Sequence, residues 1–310
     1  MLAPTLLAVA STIIASVGAN PLKLKRQSIT ALSSEQIDFY TPYTRFAGAA
    51  FCESTTLTSW TCGANCEANS DFIPTAAGGD GDGVQFWYVG YSPSQSSVIV
   101  GHQGTNVSNF MAVATDLRVF QMNLDANFFP GISSSIEVHF GFSTQHAVTA
   151  ESILSAVQTT IRDHNATLVT VVGHSLGCAL ALLDGVYLPL HIPDVTFRTI
   201  GYGCPRVGNQ AFADYVDANV NFTRINNRED IIPIVPGRFL DYVHPSGEIH
   251  ISEENDDAWL ACPGQDNESD ECIVGAVSNI FFGDEDDHAG PYNGIYLGAC
   301  NADGAPVEEN

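Results

Sequence analysis

Residues 171–177 read Val-Val-Gly-His-Ser-Leu-Gly, and the fold of the chain follows from how that stretch is flanked. An apolar β-type run, residues 167–172, leads into Gly173-x-Ser175-x-Gly177, and a helix-compatible run, residues 176–190, leads out. Strand, sharp turn and helix are the setting of a nucleophile elbow, whose strained turn lifts a serine hydroxyl clear at the top of a sheet. Glycine is needed on both sides, because a Cβ there would collide with the neighbouring strand or helix backbone. Gly177, Cys178, Ala179 and Ala181 are small enough to let the helix approach the sheet closely. A bare Gly-x-Ser-x-Gly arises by chance in roughly one chain in ten of this length, so the flanks carry the reading.

Outward from the elbow, apolar β-type runs recur at 85–91, Ser97–His102, 136–140, 168–172, 195–201 and 221–226. Helical stretches at 144–164, 175–190 and 209–218 fall between several of them. Strands alternating with helices predict an α/β fold with a mostly parallel, helix-covered central sheet. In such sheets the active site forms at the carboxyl ends of the strands, where Ser175 sits. Nothing between residues 46 and 300 reads as a linker and no internal repeat is visible, so residues 27–310 are expected to form a single catalytic domain. Residues 27–37 read as a loosely ordered lead-in or a first helix.

The amino terminus reads as a secretory signal, residues 1–19: an apolar stretch followed by Val17-Gly18-Ala19. The dibasic pair Lys25-Arg26 would end a short pro-segment, residues 20–26. Removing residues 1–26 takes away three basic residues and no acid, leaving 35 acids against 8 bases. A surface so acidic repels phosphate backbones and anionic lipid heads, which argues against nucleic-acid partners. No later segment is long and apolar enough to span a bilayer, so no stable membrane insertion is expected and the chain reads as secreted and extracellular.

Eight cysteines in a secreted chain point to disulfides, but the count alone allows 105 connectivities. Cys62 and Cys66 bracket a tight loop, and Cys262 and Cys272 bracket a polar one. Cys52 and Cys300 remain, and pairing them would tie the ends of the domain together. Cys178, in the helix after the elbow, and Cys204, ending a strand, read as buried free thiols that act as small hydrophobes. The histidines are not spaced as companion metal ligands and no Cys-x-x-Cys pair occurs, so neither a metal nor a cofactor is expected. Gly79-Asp-Gly-Asp-Gly83 reads as a tight turn, since no spaced liganding Glu follows it. Asn106, Asn165, Asn221 and Asn267 head sequons and are candidate glycosylation sites.

Serine at neutral pH needs a general base, and the base needs an orienter. On a strand–elbow–helix scaffold the chain order is Ser, then acid, then His. Asp230 follows the strand at 221–226 and precedes Ile-Ile-Pro-Ile-Val-Pro, which puts a carboxylate at a strand's carboxyl end on a stiffened loop. Asp241 is the alternative, and Glu229 reads as a solvated loop acid. Among the late histidines, His288 lies in a flexible loop of the kind that carries a catalytic imidazole. His244 is second, and His250 lies in a strand-like stretch. Oxyanion donors are expected from the amide of Leu176 and from Thr105, which follows the strand Ser97–His102 and offers both an amide and a hydroxyl.

With these residues in place, the chain resembles the fungal class 3 lipases, an α/β-hydrolase family of triacylglycerol lipases and feruloyl esterases. The likeness covers about residues 46–300 and rests on ordered motifs: Ala50-Phe-Cys52, Trp60-Thr-Cys62, Gly104-Thr105, Gly173-His-Ser-Leu-Gly177, Gly203-Cys-Pro-Arg-Val-Gly-Asn209, Asp230, His244-Pro-Ser-Gly-Glu248 and Asp287-His288. The resemblance implies a Ser175–Asp230–His288 triad, an oxyanion hole of Thr105 and Leu176, and an end-tying Cys52–Cys300 disulfide. Gln103 departs from the pattern, because the family usually carries Arg before Gly-Thr or Gly-Ser. The segment after Thr105 matches the family's lid, with Phe110, Met111 and Val113 at helical spacing; the other reading is a core-facing helix.

These features predict a secreted serine hydrolase of acylglycerol esters that acts through an acyl-enzyme at an oil–water interface. A feruloyl-type esterase on plant cell-wall esters is the alternative, against which the apolar stretch 110–122 argues. A catalytically silent lipid-binding module would not need the full Ser-Asp-His set.

Overall fold

The computed structural model describes residues 28–105, 110–111 and 120–300. The expected signal and pro-segment (1–26), Asn106 and Val113 lie outside the described residues. Eleven described strands are β1 (Thr30–Ala31), β2 (Ile73–Gly78), β3 (Trp87–Ser92), β4 (Ser97–His102), β5 (Gln121–Asn123), β6 (Glu137–His139), β7 (Leu168–His174), β8 (Thr196–Tyr202), β9 (Phe222–Asn227), β10 (Glu248–Ser252) and β11 (Ala258–Cys262). The described helices are α1 (Ser34–Asp38), α2 (Thr41–Ala49), α3 (Ser54–Ser59), α4 (Ala64–Ala68), α5 (Phe140–His164), α6 (Leu176–His191), α7 (Gln210–Asn219) and α8 (Ile273–Ala276).

Nine strands form one sheet in the order β1-β11-β10-β9-β8-β7-β4-β3-β2, and β5 pairs with β6 apart from it. The five central strands, β4, β7, β8, β9 and β10, run parallel. The flanking strands on both sides pair antiparallel. Parallel pairing needs a long crossover: α5, α6 and α7 supply it between β4, β7, β8 and β9, and a stretch with two 3-10 turns supplies it between β9 and β10.

The sheet is buried on both faces, which is why its central strands read as continuous apolar runs. Val98, Val100, Val169 and Val171 face a core shared with α5, α6 and α7. Their neighbours Ile99 and Val172 point the other way, into a second core with Tyr43, Phe46 and Ala47 of α2. This alternation is the two-residue period of a strand. Residues 136–140, expected as a core strand, give only the short β6, and Phe140 already opens α5. The switch occurs because His139 caps the helix, its Nδ1 accepting from the Gly141 amide at 3.1 Å.

Four disulfides join Cys52–Cys300, Cys62–Cys66, Cys178–Cys204 and Cys262–Cys272. The third corrects the sequence expectation that Cys178 and Cys204 are free. The first turn of α6 lies over the end of β8, which brings the two Cα atoms to 5.3 Å. Gly201 makes the room: a Cβ there would stand 1.9 Å from Cys178 Sγ. Asp80 accepts the amides of Asp82 and Val84 at 3.0 and 2.8 Å, so residues 79–83 form a tight turn. Those backbone donors, that of Val84 foremost, hold the exposed Asp80 carboxyl below its usual pKa. Glu248, Cys262 and Cys272 cluster closely enough to suggest metal ligands. Both sulfurs are in the disulfide, and the carboxylate takes Arg224 and the Ile273 amide.

Candidate active site

Ser175 sits between β7 and α6 at φ 58° and ψ −128°, a strained conformation for a residue with a Cβ. Its amide donates to Tyr202 O at 3.0 Å, which holds the turn against the end of β8. The flanking glycines are sterically required. A Cβ on Gly173 would stand 2.1 Å from Gly177 O, and one on Gly177 would stand 2.3 Å from His102 O. Ser175 is fully buried, and its hydroxyl has no hydrogen-bond partner.

Asp230 lies just beyond β9 and is also fully buried. Its Oδ1 accepts the Ile232 amide at 2.8 Å, and its Oδ2 lies 2.9 Å from His288 Nδ1. With Nδ1 donating to the Asp230 carboxylate, Nε2 is left as an acceptor. That Nε2 is buried and unpartnered, as is Ser175 Oγ.

The loop carrying His288 is stapled to the loop carrying Asp230. Asp284 N donates to Glu229 O at 2.8 Å, Glu229 N to Asp287 Oδ2 at 3.0 Å, and Asn227 Nδ2 to Asp287 O at 2.9 Å. The main-chain oxygen of His288 receives His174 Nε2 at 2.8 Å and the Tyr292 hydroxyl at 3.2 Å. The His174 and His288 rings lie 4.3 Å apart, so the residue next to Ser175 touches His288. Burial, then the neighbouring His288, pushes the pKa of His174 well below the usual value, so His174 stays neutral. A neutral neighbour does not oppose a positive charge on His288.

Gly203, just past β8, fills the gap between acid and base. It lies at φ +52°, and a Cβ on it would stand 2.7 Å from His288 Cε1 and 2.9 Å from Asp230 Oδ2. On the other side of the elbow, a Cβ on Gly104 would stand 2.5 Å from His174 O and 3.1 Å from Ser175 Cβ. Thr105 follows this close approach directly in the chain. Leu176 opens α6, where an amide has no intrahelical acceptor and is free to meet an anion. Gln103, at the family's Arg position, anchors the loop differently: its Oε1 accepts the Phe86 amide at 2.7 Å, and its own amide donates to Phe86 O at 2.8 Å.

The alternatives from sequence lie elsewhere. His244 Nε2 is on Pro233 O at 2.7 Å, and burial followed by Arg224 and Arg206 pushes its pKa far down. His250 spans two carbonyls, of Glu271 and Arg228, from within β10. Asp241 and Glu229 are exposed. Phe110 is a core residue, 1% exposed and stacked on Phe142 at 6.2 Å, and Met111 packs beside that core. Asn165 and Asn221 are exposed, whereas the Asn267 amide is engaged with Pro263 O and Ser269 N. Sequence reading assigned no role to Gly203, His174, Asn227 or Tyr292. Gly203 and His174 alone carried a signal, as residues of the Gly203–Asn209 and Gly173–Gly177 motifs.

A family model for lipase (class 3) matches residues 99–240, a span holding Thr105, Ser175 and Asp230. A secreted mono- and diacylglycerol lipase of Malassezia globosa is 31% identical over 238 residues, 72% of this chain and 77% of the relative. One from Malassezia restricta is 31% identical over 221 residues, covering 70% and 72%. The chain belongs to the class 3 lipase family. Among solved structures, lipase II from Rhizopus niveus matches with a TM-score of 0.76 at 26% identity, over 88% of this chain and 100% of that one. A triacylglycerol lipase whose catalytic centre is formed by a serine protease triad matches at 0.75 and 25%, over 88% and 100%. This class 3 lipase is thus a carboxylic-ester hydrolase on an α/β-hydrolase fold, and it is secreted. No described helix is long and apolar enough to cross a membrane.

Proposed function

We propose that the enzyme, released after removal of residues 1–26, hydrolyses acylglycerols through an acyl-enzyme on Ser175. The observation that carries the reading is the buried Asp230–His288 pair at 2.9 Å, whose ring packs on His174, the neighbour of a strained, buried serine, with Nε2 and the serine hydroxyl both unpartnered. Ser175 Oγ attacks the ester carbonyl as Nε2 takes its proton, while Nδ1–H stays on Asp230. The oxyanion draws on the amides of Thr105 and Leu176. Collapse expels the glyceride alcohol, which takes the proton from Nε2. Water, deprotonated by the same nitrogen, then releases the fatty acid and restores Ser175.

The relatives' names support glycerides as substrates: mono- and diacylglycerols for the Malassezia enzymes and triacylglycerols for the solved structure. Exposed aromatic side chains support action at an oil surface. Phe281 and Phe282, 87% and 69% exposed, lie on the segment leading to His288. Phe239, 88% exposed, adjoins Leu240, whose carbonyl accepts Gln121 beside the exposed Phe120. Phe110 and Met111 are assigned to the lid, with Phe110 as its buried anchor; the lid residue Val113 lies outside the described residues.

The test compares initial rates on a diacylglycerol, tributyrin, a long-chain triacylglycerol emulsion and methyl ferulate, with Ser175→Ala alongside. Glyceride hydrolysis that falls by several orders of magnitude in Ser175→Ala is expected. Faster turnover of methyl ferulate than of any glyceride would overturn the substrate reading. A folded Ser175→Ala protein within tenfold of wild type would overturn the nucleophile.

A further inference from the structure

Three polar side chains that the chemistry does not use meet in the core beneath the elbow. Asp184, on α6, is fully buried; its Oδ2 takes His102 Nε2 at 2.7 Å and its Oδ1 takes His146 Nε2 at 2.8 Å. His102 ends β4 and His146 lies on α5, each 1% exposed. Burial alone would raise the Asp184 pKa, but the two imidazoles outweigh it and bring the value down to about 2. The two imidazoles thus favour the ionised carboxylate. A packed hydrophobic trio is often as stable as such a buried ionic group or more so. What the ionic group adds is direction, because each hydrogen bond fixes one ring relative to the nucleophile's helix.

The position of His102 gives that direction a use. Its carbonyl presses on the turn after Ser175, where a Gly177 Cβ would come within 2.3 Å, and Gln103-Gly104-Thr105 follows it directly. Gly104 in turn contacts His174 and Ser175. A shift of the His102 ring would pass along this short rigid path to Thr105, while Leu176 stays with α6.

We infer that the His102–Asp184–His146 network is a positioning device for the oxyanion hole, setting the Thr105 amide against the Leu176 amide. It rests on the acyl-transfer reading of the site. Asp184, His102 and His146 are positioning residues that touch no reacting atom. They act on the tetrahedral step and not on ester binding.

The experiment uses His102→Phe, which keeps a ring and removes the N–H, and His102→Gln, whose amide N–H reaches a similar point. Asp184→Asn is a third variant. Each is assayed on a soluble nitrophenyl ester, with sites counted by a phosphonate that labels Ser175. Each is also tested for affinity to an alkyl trifluoromethyl ketone, whose adduct with serine carries an oxyanion. Loss of one oxyanion donor typically costs 10²–10³ in turnover. A displaced donor should cost less, so kcat per labelled site is expected to fall ten- to a hundredfold in His102→Phe and Asp184→Asn. Ketone affinity should fall in step, KM should stay within about twofold, and His102→Gln should recover most of the loss. Equal kcat per labelled site in all the variants and wild type would overturn the inference, leaving a packing role. So would equal losses in His102→Gln and His102→Phe. If the phosphonate fails to label Ser175 in wild type, the acyl-transfer reading itself falls, which is a separate result. Counting labelled sites keeps the comparison valid where only part of a variant folds. If Asp184→Asn yields no folded protein, the two His102 variants decide alone.

Discussion

Replacing Gly203 with alanine should damage catalysis far more than stability. The added Cβ would stand 2.7 Å from His288 Cε1, 2.8 Å from Nδ1 and 2.9 Å from Asp230 Oδ2. Ordinary contact begins at 3.4 Å, so the ring must retreat by about 0.7 Å. Neither partner can follow freely. Asp230 is held by the Ile232 amide, and the backbone of His288 is held by His174 and Tyr292. A misplacement of about 1 Å in a reacting constellation costs on the order of 10²-fold in rate. A ten- to hundredfold fall in kcat on a soluble ester is therefore expected. Gly203 is also left-handed, at φ +52°, which adds about 1–2 kcal/mol of backbone strain for alanine. Gly131, at φ +80° with nothing within 4 Å, isolates that strain, so Gly131→Ala should lower the melting temperature and leave kcat unchanged. If Gly203→Ala, folded, stays within threefold of Gly131→Ala in kcat, the Asp230–His288 geometry does not govern turnover and the argument fails.

Stability should fall as pH drops from about 6.5 towards 4. Burial pushes the pKa of His139 down to about 4 and those of His174 and His244 well below the usual value, so the unfolded chain binds up to three more protons in this window. Asp287, raised to about 6 chiefly by burial, offsets at most one of them. The slope is then roughly 3 kcal/mol per pH unit near pH 5, and urea unfolding that shows equal stability at pH 5 and pH 7 would contradict it. Peptide mapping without reduction should find the Cys178–Cys204 pair, and replacing both with alanine should cost ~3.5 kcal/mol on the chain-entropy model for a separation of 26 residues. An unchanged melting temperature would refute that. Serines at both Phe281 and Phe282 should weaken attack on an emulsion while leaving a soluble ester untouched. Burying only about 100 Å² of their surface in oil contributes about 2.5 kcal/mol, or about sixtyfold in adsorption. Equal loss on both substrates would remove these residues from the interface.

The elbow was legible because its cause is local: glycine, serine and glycine at fixed spacing between a β-type and a helical run. The parallel centre was legible for the same reason, as β4 and β7 are apolar on both faces, while β8 and β9 place Ile200 and Ile225 on one core and Phe197 and Phe222 on the other. Of the antiparallel flanks only β3 was legible, as the run 85–91. β2, Ile-Pro-Thr-Ala-Ala-Gly, carries little apolar signal and owes its state to pairing with β3. The Cys178–Cys204 bond was missed because it depends on α6 lying over β8, where Gly201 leaves room for sulfur. Asp184 was equally hidden, since one acid in an apolar helix acquires meaning only from His102 and His146 on two other elements.

The order of the strands explains why these pieces form one site. Across the sheet the neighbours run β9, β8, β7, β4, and their carboxyl ends lead to Asp230, Gly203, Ser175 and Thr105 in turn. Asp230 and Ser175, the proposed acid and nucleophile, are thus separated by one intervening strand, on the order of 9–10 Å at the usual strand spacing. That span is roughly the reach of one imidazole with a hydrogen bond at each end. His288 therefore comes from outside the sheet, on a loop that crosses the end of β8, and the residue beneath the crossing must lack a side chain. The same reasoning applies on the other side. Nucleophile and oxyanion loop are adjacent strands with no spacer, so contact between Gly104 and the elbow and between Gly177 and His102 sets their distance. A glycine at each of these crossings, and a buried carboxylate locking the last of them, follow from placing three functions on three strand ends and bringing the fourth across.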